Sequence, residues 1–501
     1  MSDPPRTERG DGLRRVPIVV ALAALLIVGL VAGRAAGSGR VASGSQTRAA
    51  SVAAPAGAFS SSWFCAGATD EPTGPAPGAV IIANTAGEPV TGVVTLVPNR
   101  GQHRRIAFEV GPYRRAAVDE IVPGGSPWIG AIVDVDAGGV AVSQQLNGPL
   151  GRAYSPCATT GSTQWYFPTG ATLINSAVAI SLLNPYSTSA VADLSFTTDQ
   201  GPEAPQEFEG LVVPAGGLVT VNLGDHLRRR HAIATSVDVR SGRVVAWKTD
   251  VVTPPPNGVP LLGTAAGAQP LADPATPIPG VTLTLGAPAT ATEWVWADGQ
   301  TGTGLNEQYV VFNPGTAAAD LRLAVNLDQG VAEPFELTVP PGQVVQVVSS
   351  QEVRIPPGVG HSATLVSVNG VPVVAERTLS ATSPSPSSGL AELIGARLAA
   401  TDWLIPATGA DADHGGHVVV YNPGPAVRAI VGGLNGRSRV VLRTLAIAAG
   451  GRAAVPLNTF GAVLAVPIVV RASGPVYVES DLYGASGTPG INLSFAVPLA
   501  P

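Results

Sequence analysis

Leu321, Leu323, Val325 and Leu327 alternate with Arg322, Ala324 and Asn326, and Phe335, Leu337 and Val339 alternate in the same way just downstream. Period-two alternation marks strands with one buried face. Residues 294–296, 308–312, 344–348, 363–368 and 371–379 add further short apolar runs, punctuated by Asn313-Pro314-Gly315 and Pro340-Pro341-Gly342. Asn before Pro is held extended, Pro presets the next dihedral, and Gly315 is expected to take the positive φ of a type II turn. Seven short strands in roughly a hundred residues predict an immunoglobulin-like β-sandwich. A β-propeller is the alternative, although such a unit is long for one blade.

The unit recurs. Trp63 and Asn84, Trp165 and Asn184, Trp294 and Asn313, and Trp403 and Asn422 are separated by 21, 19, 19 and 19 residues, and each Asn closes an apolar run. Regular spacing of this kind means one supersecondary unit used four times. The alternating strand 280–285 resembles 490–495 near the carboxyl end, so this strand is expected to close a unit. The chain then divides into residues 61–160, 161–290 with a Pro- and Ala-rich linker, 291–400 and 401–501, an all-β series of tandem sandwiches.

Residues 16–33 carry no charge and match the length of a bilayer-spanning helix. Arg14 and Arg15 precede them, which predicts a cytoplasmic segment 1–15 and a single-pass membrane protein with an extracellular carboxyl-terminal region. A cleaved signal ending near Gly33-Arg34-Ala35, and hence a secreted protein, is the alternative. Residues 34–60, rich in Ala, Gly and Ser, read as a flexible tether. Cys65 and Cys157, the two cysteines, are expected to form a disulfide outside the cell. Closing such a loop contributes up to about 4–5 kcal/mol in the chain-entropy model.

Composition narrows the function classes. Charged residues are 13% of the chain while Gly and Pro number 60 and 46, which favours strands and turns over charged helices. The formal net charge of −6 gives no field to gather nucleic acid, and Lys248 is the single lysine. No nucleophile elbow, phosphate loop, dinucleotide fingerprint or C-x-x-C pair is present, so catalytic residues, cofactors and metals are expected to be none.

Comparison among the four units separates scaffold from decoration. The recurrent tryptophans, the asparagines and the mid-unit glycines Gly111, Gly216, Gly342 and Gly450 are scaffold on this reasoning. Aligned by apolar pattern, Glu376 corresponds to Glu479, Trp247 and Gln144, and a carboxylate in two units of four reads as a solvated strand position. Asp411, Asp413, His414 and His417 fall in one loop but match no metal-ligand spacing and read as a polar turn. Arg228, Arg229 and Arg230, flanked by His226 and His231, form a basic loop peculiar to the second unit. That loop is the candidate site for an anionic polymer or headgroup. Trp128, Trp247 and Trp296 are candidates for stacking on sugars if they are exposed.

Trp294-Val295-Trp296, Tyr309-Val310-Val311-Phe312-Asn313-Pro314-Gly315 and Val373-Val374-Ala375-Glu376-Arg377 together resemble the tandem extracellular repeats of exported bacterial proteins. Ser62-Trp63-Phe64-Cys65-Ala66-Gly67 is similar to the start of the ectodomain in actinobacterial membrane-anchored members, a domain of unknown function. The resemblance implies an envelope-exposed β protein and assigns no catalytic residue. Trp165-Tyr166-Phe167-Pro168 and Trp403-Leu404-Ile405-Pro406 depart from the opening pattern. The expected function is a non-catalytic structural or interaction protein of the cell envelope, with the membrane and a wall polymer or envelope protein as partners. Glycan or anionic-polymer binding and a remote hydrolase are the rival readings.

Overall fold

The computed structural model describes residues 51–70, 75–254, 278–411, 413–485 and 487–500, which lie in one compact body. The expected cytoplasmic segment 1–15 and transmembrane helix 16–33 fall outside these residues, as does most of the Pro- and Ala-rich linker. Among the described residues no helix is long and apolar enough to cross a membrane. The described chain is all-β, built from antiparallel sheets joined by turns and short 3-10 segments.

Eight strands, rather than the seven expected, make up the third unit: Glu293–Trp296, Leu305–Asn313, Ala319–Leu327, Phe335–Val339, Gln343–Val348, His361–Ser367, Val374–Ala381 and Gly389–Ile394. The strand absent from the sequence reading is the eighth, Gly389–Ile394, whose Glu392 interrupts its apolar run. One sheet runs first–sixth–third–fourth and the other fifth–second–seventh–eighth. Trp294, Leu321, Leu323 and Leu365 from the first sheet meet Tyr309, Val311 and Val374 from the second in one core.

The other units repeat this order. In the first, Ser61–Ala68, Ile129–Val135, Val90–Pro98 and Arg104–Val110 form one sheet, and Arg115–Asp119, Gly78–Asn84, Val140–Gly148 and Gly151–Pro156 the other. In the second, two short strands, Gly201–Glu203 and Leu211–Val213, share the fourth position. In the fourth, one long strand, Ile468–Gly484, serves as both sixth and seventh, pairing with Val427–Leu434 at one end and His414–Tyr421 at the other. The alternating segments Gly280–Leu285 and Ile491–Phe495 are the eighth strands of the second and fourth units.

Those eighth strands organise the body. Gly151–Pro156 packs beside Gly280–Leu285, that strand beside Gly389–Ile394, that one beside Ile491–Phe495, and the last returns to Gly151–Pro156. The circuit of four units is therefore closed. Glycine makes the approach possible at one end, since a Cβ on Gly151 would lie 2.7 Å from Gly490 Cα. Residues read as the end of a flexible tether are bound into the closure instead. Ala53 is fully buried, its N–H donates to the Pro498 carbonyl at 3.0 Å, and its own carbonyl accepts from Ala500 at 3.2 Å. Main-chain pairing that ties down a terminus removes the mobility its small residues otherwise permit.

The recurrent residues have the structural roles expected of them. Trp63, Trp165, Trp294 and Trp403 are buried, and the Trp165 and Trp294 indoles donate to the carbonyls of Val244 and Val373, which open equivalent strands. Asn84, Asn184, Asn313 and Asn422 are fully buried. Asn313 Nδ2 donates to Ala317 O at 2.8 Å and Val339 O at 2.9 Å, while its Oδ1 accepts from Gly315 N at 3.0 Å. One side chain thus clamps the hairpin after the second strand to the end of the fourth. The asparagine carbonyl shapes this turn, and Gly315 does not adopt the positive φ expected of it. The mid-unit glycines Gly216, Gly342 and Gly450 do have positive φ, but in the first unit Tyr113, at φ 53°, holds that conformation in place of Gly111. Cys65 and Cys157 are bonded and join the first strand to the segment after the eighth.

Replacing Asn313 by Ala leaves the Val339 and Ala317 carbonyls short of a donor, so a loss of about 2–4 kcal/mol is expected. Calorimetric unfolding of the Asn313→Ala variant measures it, and a midpoint equal to the parent's would refute the clamp.

Candidate functional site

Three of the four junctions between units use the same docking. The end of the first strand of one unit seats against the seventh strand of the next. At the first–second junction Thr249 Oγ1 donates to Gly67 O at 2.7 Å. At the second–third, Thr169 Oγ1 donates to Glu376 Oε2 at 2.6 Å. At the third–fourth, Glu479 Oε2 accepts from the N–H groups of Ala297 and Asp298 at 3.0 and 3.1 Å. The fourth–first junction differs: Ala407 and Ala410, after the first strand, pack against Ile81 of the second strand and Tyr154 of the eighth.

Sheet register shows which residues are equivalent. Three residues before the clamp asparagine, Ser181 faces Trp247, Val310 faces Glu376, Val419 faces Glu479, and Ile81 faces Ser143. Ser143, rather than Gln144, is therefore the first-unit counterpart. The next position holds Gln144, Lys248, Arg377 and Ser480. The reading of Glu376 and Glu479 as solvated is corrected: both are fully buried, because a second layer of protein, the neighbouring unit, covers the outer face of the sheet.

Cation and carboxylate in these two columns pair across junctions with an offset of one unit. Lys248 of the second unit lies 3.6 Å from Glu376 of the third, 3.0 Å from Glu392 and 3.4 Å from Asp250, and donates to Thr169 O at 2.9 Å. Arg377 of the third unit pairs with Glu479 of the fourth and lies 4.0 Å from Asp481. His361 Nε2 faces Glu307 at 2.8 Å and Tyr309 Oη at 3.3 Å in the same region. Arg452 of the fourth unit reaches back to Asp298 and Asp328 of the third.

Burial sets the ionisation of these groups and the counter-charges correct it. Loss of water alone would lower the Lys248 pKa, but Asp250, Glu376 and Glu392 outweigh it and hold the ammonium charged. Burial pushes Glu376 and Glu479 each up to about 7, against the opposing pull of Lys248 and Arg377. Burial also drives Asp250 and Asp481 well above the usual carboxylate range. Despite burial, Glu392 is held below its ordinary value by Lys248 and by hydrogen bonds, and Asp298 by its Asp481 hydrogen bond and Arg452. Each centre thus joins a raised and a lowered carboxylate, an arrangement familiar from acid–base catalysis. Here both members are enclosed between units and paired across the junction.

The basic loop of the second unit is partly neutralised. Arg230 Nε donates to Glu203 at 2.7 Å, and His226 Nδ1 lies 2.9 Å from Glu207. Arg228 and Arg229 remain exposed, and Arg229 takes a left-handed φ of 57° that a non-glycine residue adopts only at a cost. Hydrogen bonds from Arg229 N and Arg230 N to Thr172 fix the loop. Asp411 caps its own turn, accepting from the N–H groups of Asp413 and His414 at 2.9 Å, and meets Arg152 of the first unit. Among the described residues no group of three or more His, Cys, Asp or Glu is placed to hold a metal. Trp247 and Trp296 are fully buried, so neither offers a face to a sugar, and Trp128 is half-buried.

The paired charges had one signal in the sequence. The single lysine sits in the apolar run Val245–Val252, every residue of which is buried. A lone cation in such a strand requires buried counter-charge.

Residues 117–348 match a family of unknown function, DUF5719. The matched stretch runs from the fifth strand of the first unit to the end of the fifth strand of the third. Comparison with curated proteins gave no match. Among solved structures, Thermotoga maritima 1070 aligns at 20% identity over 21% of this chain and 94% of its own, with a TM-score of 0.20. The Streptomyces avermitilis α-L-rhamnosidase complexed with L-rhamnose aligns at 8% identity over 80% of this chain and 54% of its own, TM-score 0.12. The CupB6 tip adhesin of Pseudomonas aeruginosa aligns at 11% identity over 51% and 89%, TM-score 0.09.

Two outcomes test the junction chemistry. Arg377→Met leaves Glu479 and Asp481 without their cation and is expected to cost about 3–5 kcal/mol in a denaturation series. Because Glu376 and Glu479 bind protons more tightly in the folded than in the unfolded chain, their contribution is complete below the ordinary value of 4.5 and is lost as the pH rises through about 7. Glu392 and Asp298, shifted the other way, act only on further acidification. The melting temperature should fall between about pH 5 and 7 and fall less in Glu479→Gln. A flat profile in the parent contradicts the assignment.

Proposed function

We propose that this chain is a non-catalytic structural or interaction protein of the cell envelope, held by one amino-terminal membrane anchor with its carboxyl-terminal body outside the cell. The observation that carries the reading is how the chemically capable side chains are used. Lys248, Arg377, Glu376, Glu479 and Asp481 are at most 1% exposed and hold unit to unit. Such a body presents loops and strand edges on a fixed frame. The uncharged stretch 16–33 behind Arg14 and Arg15 supports the anchor, and the Cys65–Cys157 bond supports an oxidising location. The units themselves are read as immunoglobulin-like sandwiches. Their second–fifth and third–sixth pairings are those of that fold, while the first and seventh strands are exchanged between the sheets, the first lying beside the sixth and the seventh beside the second, and an eighth strand is added beside the seventh.

Binding of an anionic wall polymer is the second reading, favoured by the exposed Arg228 and Arg229 on an ordered loop. Guanidinium groups suit phosphate or carboxylate groups along such a polymer.

Fractionation with protease shaving of intact cells tests the first reading. The full chain should remain in the membrane pellet after a high-salt wash and lose its carboxyl-terminal body to external protease. Recovery in the cytosol, or resistance to protease until lysis, would refute it. For the second reading, cosedimentation of the purified chain with isolated wall polymer should be salt-sensitive and lost in the Arg228→Ser, Arg229→Ser double variant. Equal binding by parent and variant would end the assignment to this loop.

A further inference from the structure

Among the described residues, nine carboxylates are buried: Asp70, Glu120, Asp250, Asp298, Glu307, Glu376, Glu392, Glu479 and Asp481. Seven of them lie within ion-pair distance of Lys248, Arg377, Arg452 or His361. The two exceptions, Asp70 and Glu120, line the same pocket at the edge of the first unit, with a volume of about 240 Å³. Burying one unpaired carboxylate is costly, and burying two together is more so.

Asp70 is 3% exposed, and its Oδ1 accepts from Val122 N at 3.0 Å while Oδ2 has no hydrogen-bond partner. Thr69, 6% exposed on the same wall, likewise has an unpartnered Oγ1. Glu120 is 1% exposed, and both of its oxygens accept from Gln144 Nε2, at 2.9 and 2.8 Å. The carboxylate is seated by design of the backbone beside it: a Cβ on Gly78 would lie 2.2 Å from Glu120 Oε2. Asp119 and Asn147 stand in the pocket wall as well. Two arginines bond to the rim, Arg104 to the Ile121 carbonyl and Arg152 to Asn147, but neither is within ion-pair distance of Asp70 or Glu120. Burial, aided by the Asp70 charge and opposed by Gln144, raises the Glu120 pKa to about 8.

We propose that this pocket is a binding site for a hard divalent cation, calcium, ligated by Asp70, Glu120 and Thr69 Oγ1 with water completing the shell. The polar side chains lining the pocket carry carboxylate, hydroxyl and amide oxygens, and no thiolate or imidazole is among them, which suits calcium over zinc or copper. Calcium tolerates irregular shells of six to eight oxygens, so two carboxylates, a hydroxyl and several waters suffice. The volume leaves room for those waters. Asp70 follows the first strand and Glu120 follows the fifth, so the ion would bridge the two sheets of the first unit. The inference does not depend on the envelope reading.

Thermal melts of the purified full chain test it, in chelator and across a calcium series, with sodium chloride at matched ionic strength as control. The parent should gain a saturable upward shift in melting temperature, half-complete at about 0.1–1 mM as in extracellular calcium modules. Glu120→Gln and Asp70→Asn should each abolish the shift. Glu120→Gln should melt in chelator at or above the parent, because it removes an unpaired buried carboxylate, and this shows that the variant is folded. No calcium-dependent shift in the parent, the same shift in sodium chloride, or an undiminished shift in Glu120→Gln overturns the proposal.

Discussion

The body depends on the seating of each unit on the next, at three of the four junctions through the end of a first strand placed on a seventh strand. Three of these junctions follow the chain, but the fourth–first junction joins parts of the sequence more than 250 residues apart, as in the pair of Arg152 and Asp411. A rotation repeated between neighbours either closes into a ring or continues as an open array. Closure here demands that the outer face of every second-and-seventh strand pair be covered. That requirement explains why residues of both parities on the seventh strands are buried, as in Val245–Val252, where an ordinary sandwich would leave one face wet.

Much of the unit was legible from alternation and turn residues because both report local physics. The strands of the third unit, the buried tryptophans and the asparagine turns all follow from side chains that face a core within their own unit. What was not legible arises between units. Glu376 and Glu479 read as solvated, since a carboxylate in a strand is solvated unless something covers it, and only the circuit supplies that cover. Trp247 read as an exposed singleton for the same reason, whereas Trp296 is buried within its own unit, against Tyr309 and with its indole donating to the Leu393 carbonyl. The eighth strand of the third unit escaped notice because Glu392 breaks its apolar run, and Glu392 is there to face Lys248 across a junction.

The basic loop shows a different limit. Three consecutive arginines with flanking histidines suggest a strong positive field, yet Glu203 and Glu207, nearly twenty or more residues away in sequence, fold back to meet Arg230 and His226. Arg228, Arg229 and His231 are left facing solvent without an ion pair among the described residues. Charge counted along a chain overstates the field wherever a hairpin returns acids to it. The pocket at Asp70 and Glu120 is the converse, with two acids fifty residues apart brought together and nothing cationic returned.

The distribution of charge among the junctions also bears on how the circuit assembles in one order. Lys248 has Asp250 of its own unit at 3.4 Å and Arg377 has Glu307 of its own at 3.9 Å, and the remaining counter-charge of each comes from the next unit, Glu376 and Glu392 for Lys248 and Glu479 and Asp481 for Arg377. Seating either cation against Ser143 in place of a glutamate would strip a buried charge of its partners from the next unit, which is destabilising. Among the described residues the fourth–first junction carries no such fully buried pair. Its ion pair, Arg152 with Asp411, is 24% and 38% exposed, and the rest of its contact is apolar packing together with the Ala53 backbone pairing. Charge therefore specifies neighbours in the middle of the chain, where a wrong pairing must be made expensive. The closing contact needs no such specification, because once three junctions are set only one surface remains to meet it. That contact, like the hydrogen-bonded first–second junction, can open without stranding a buried charge.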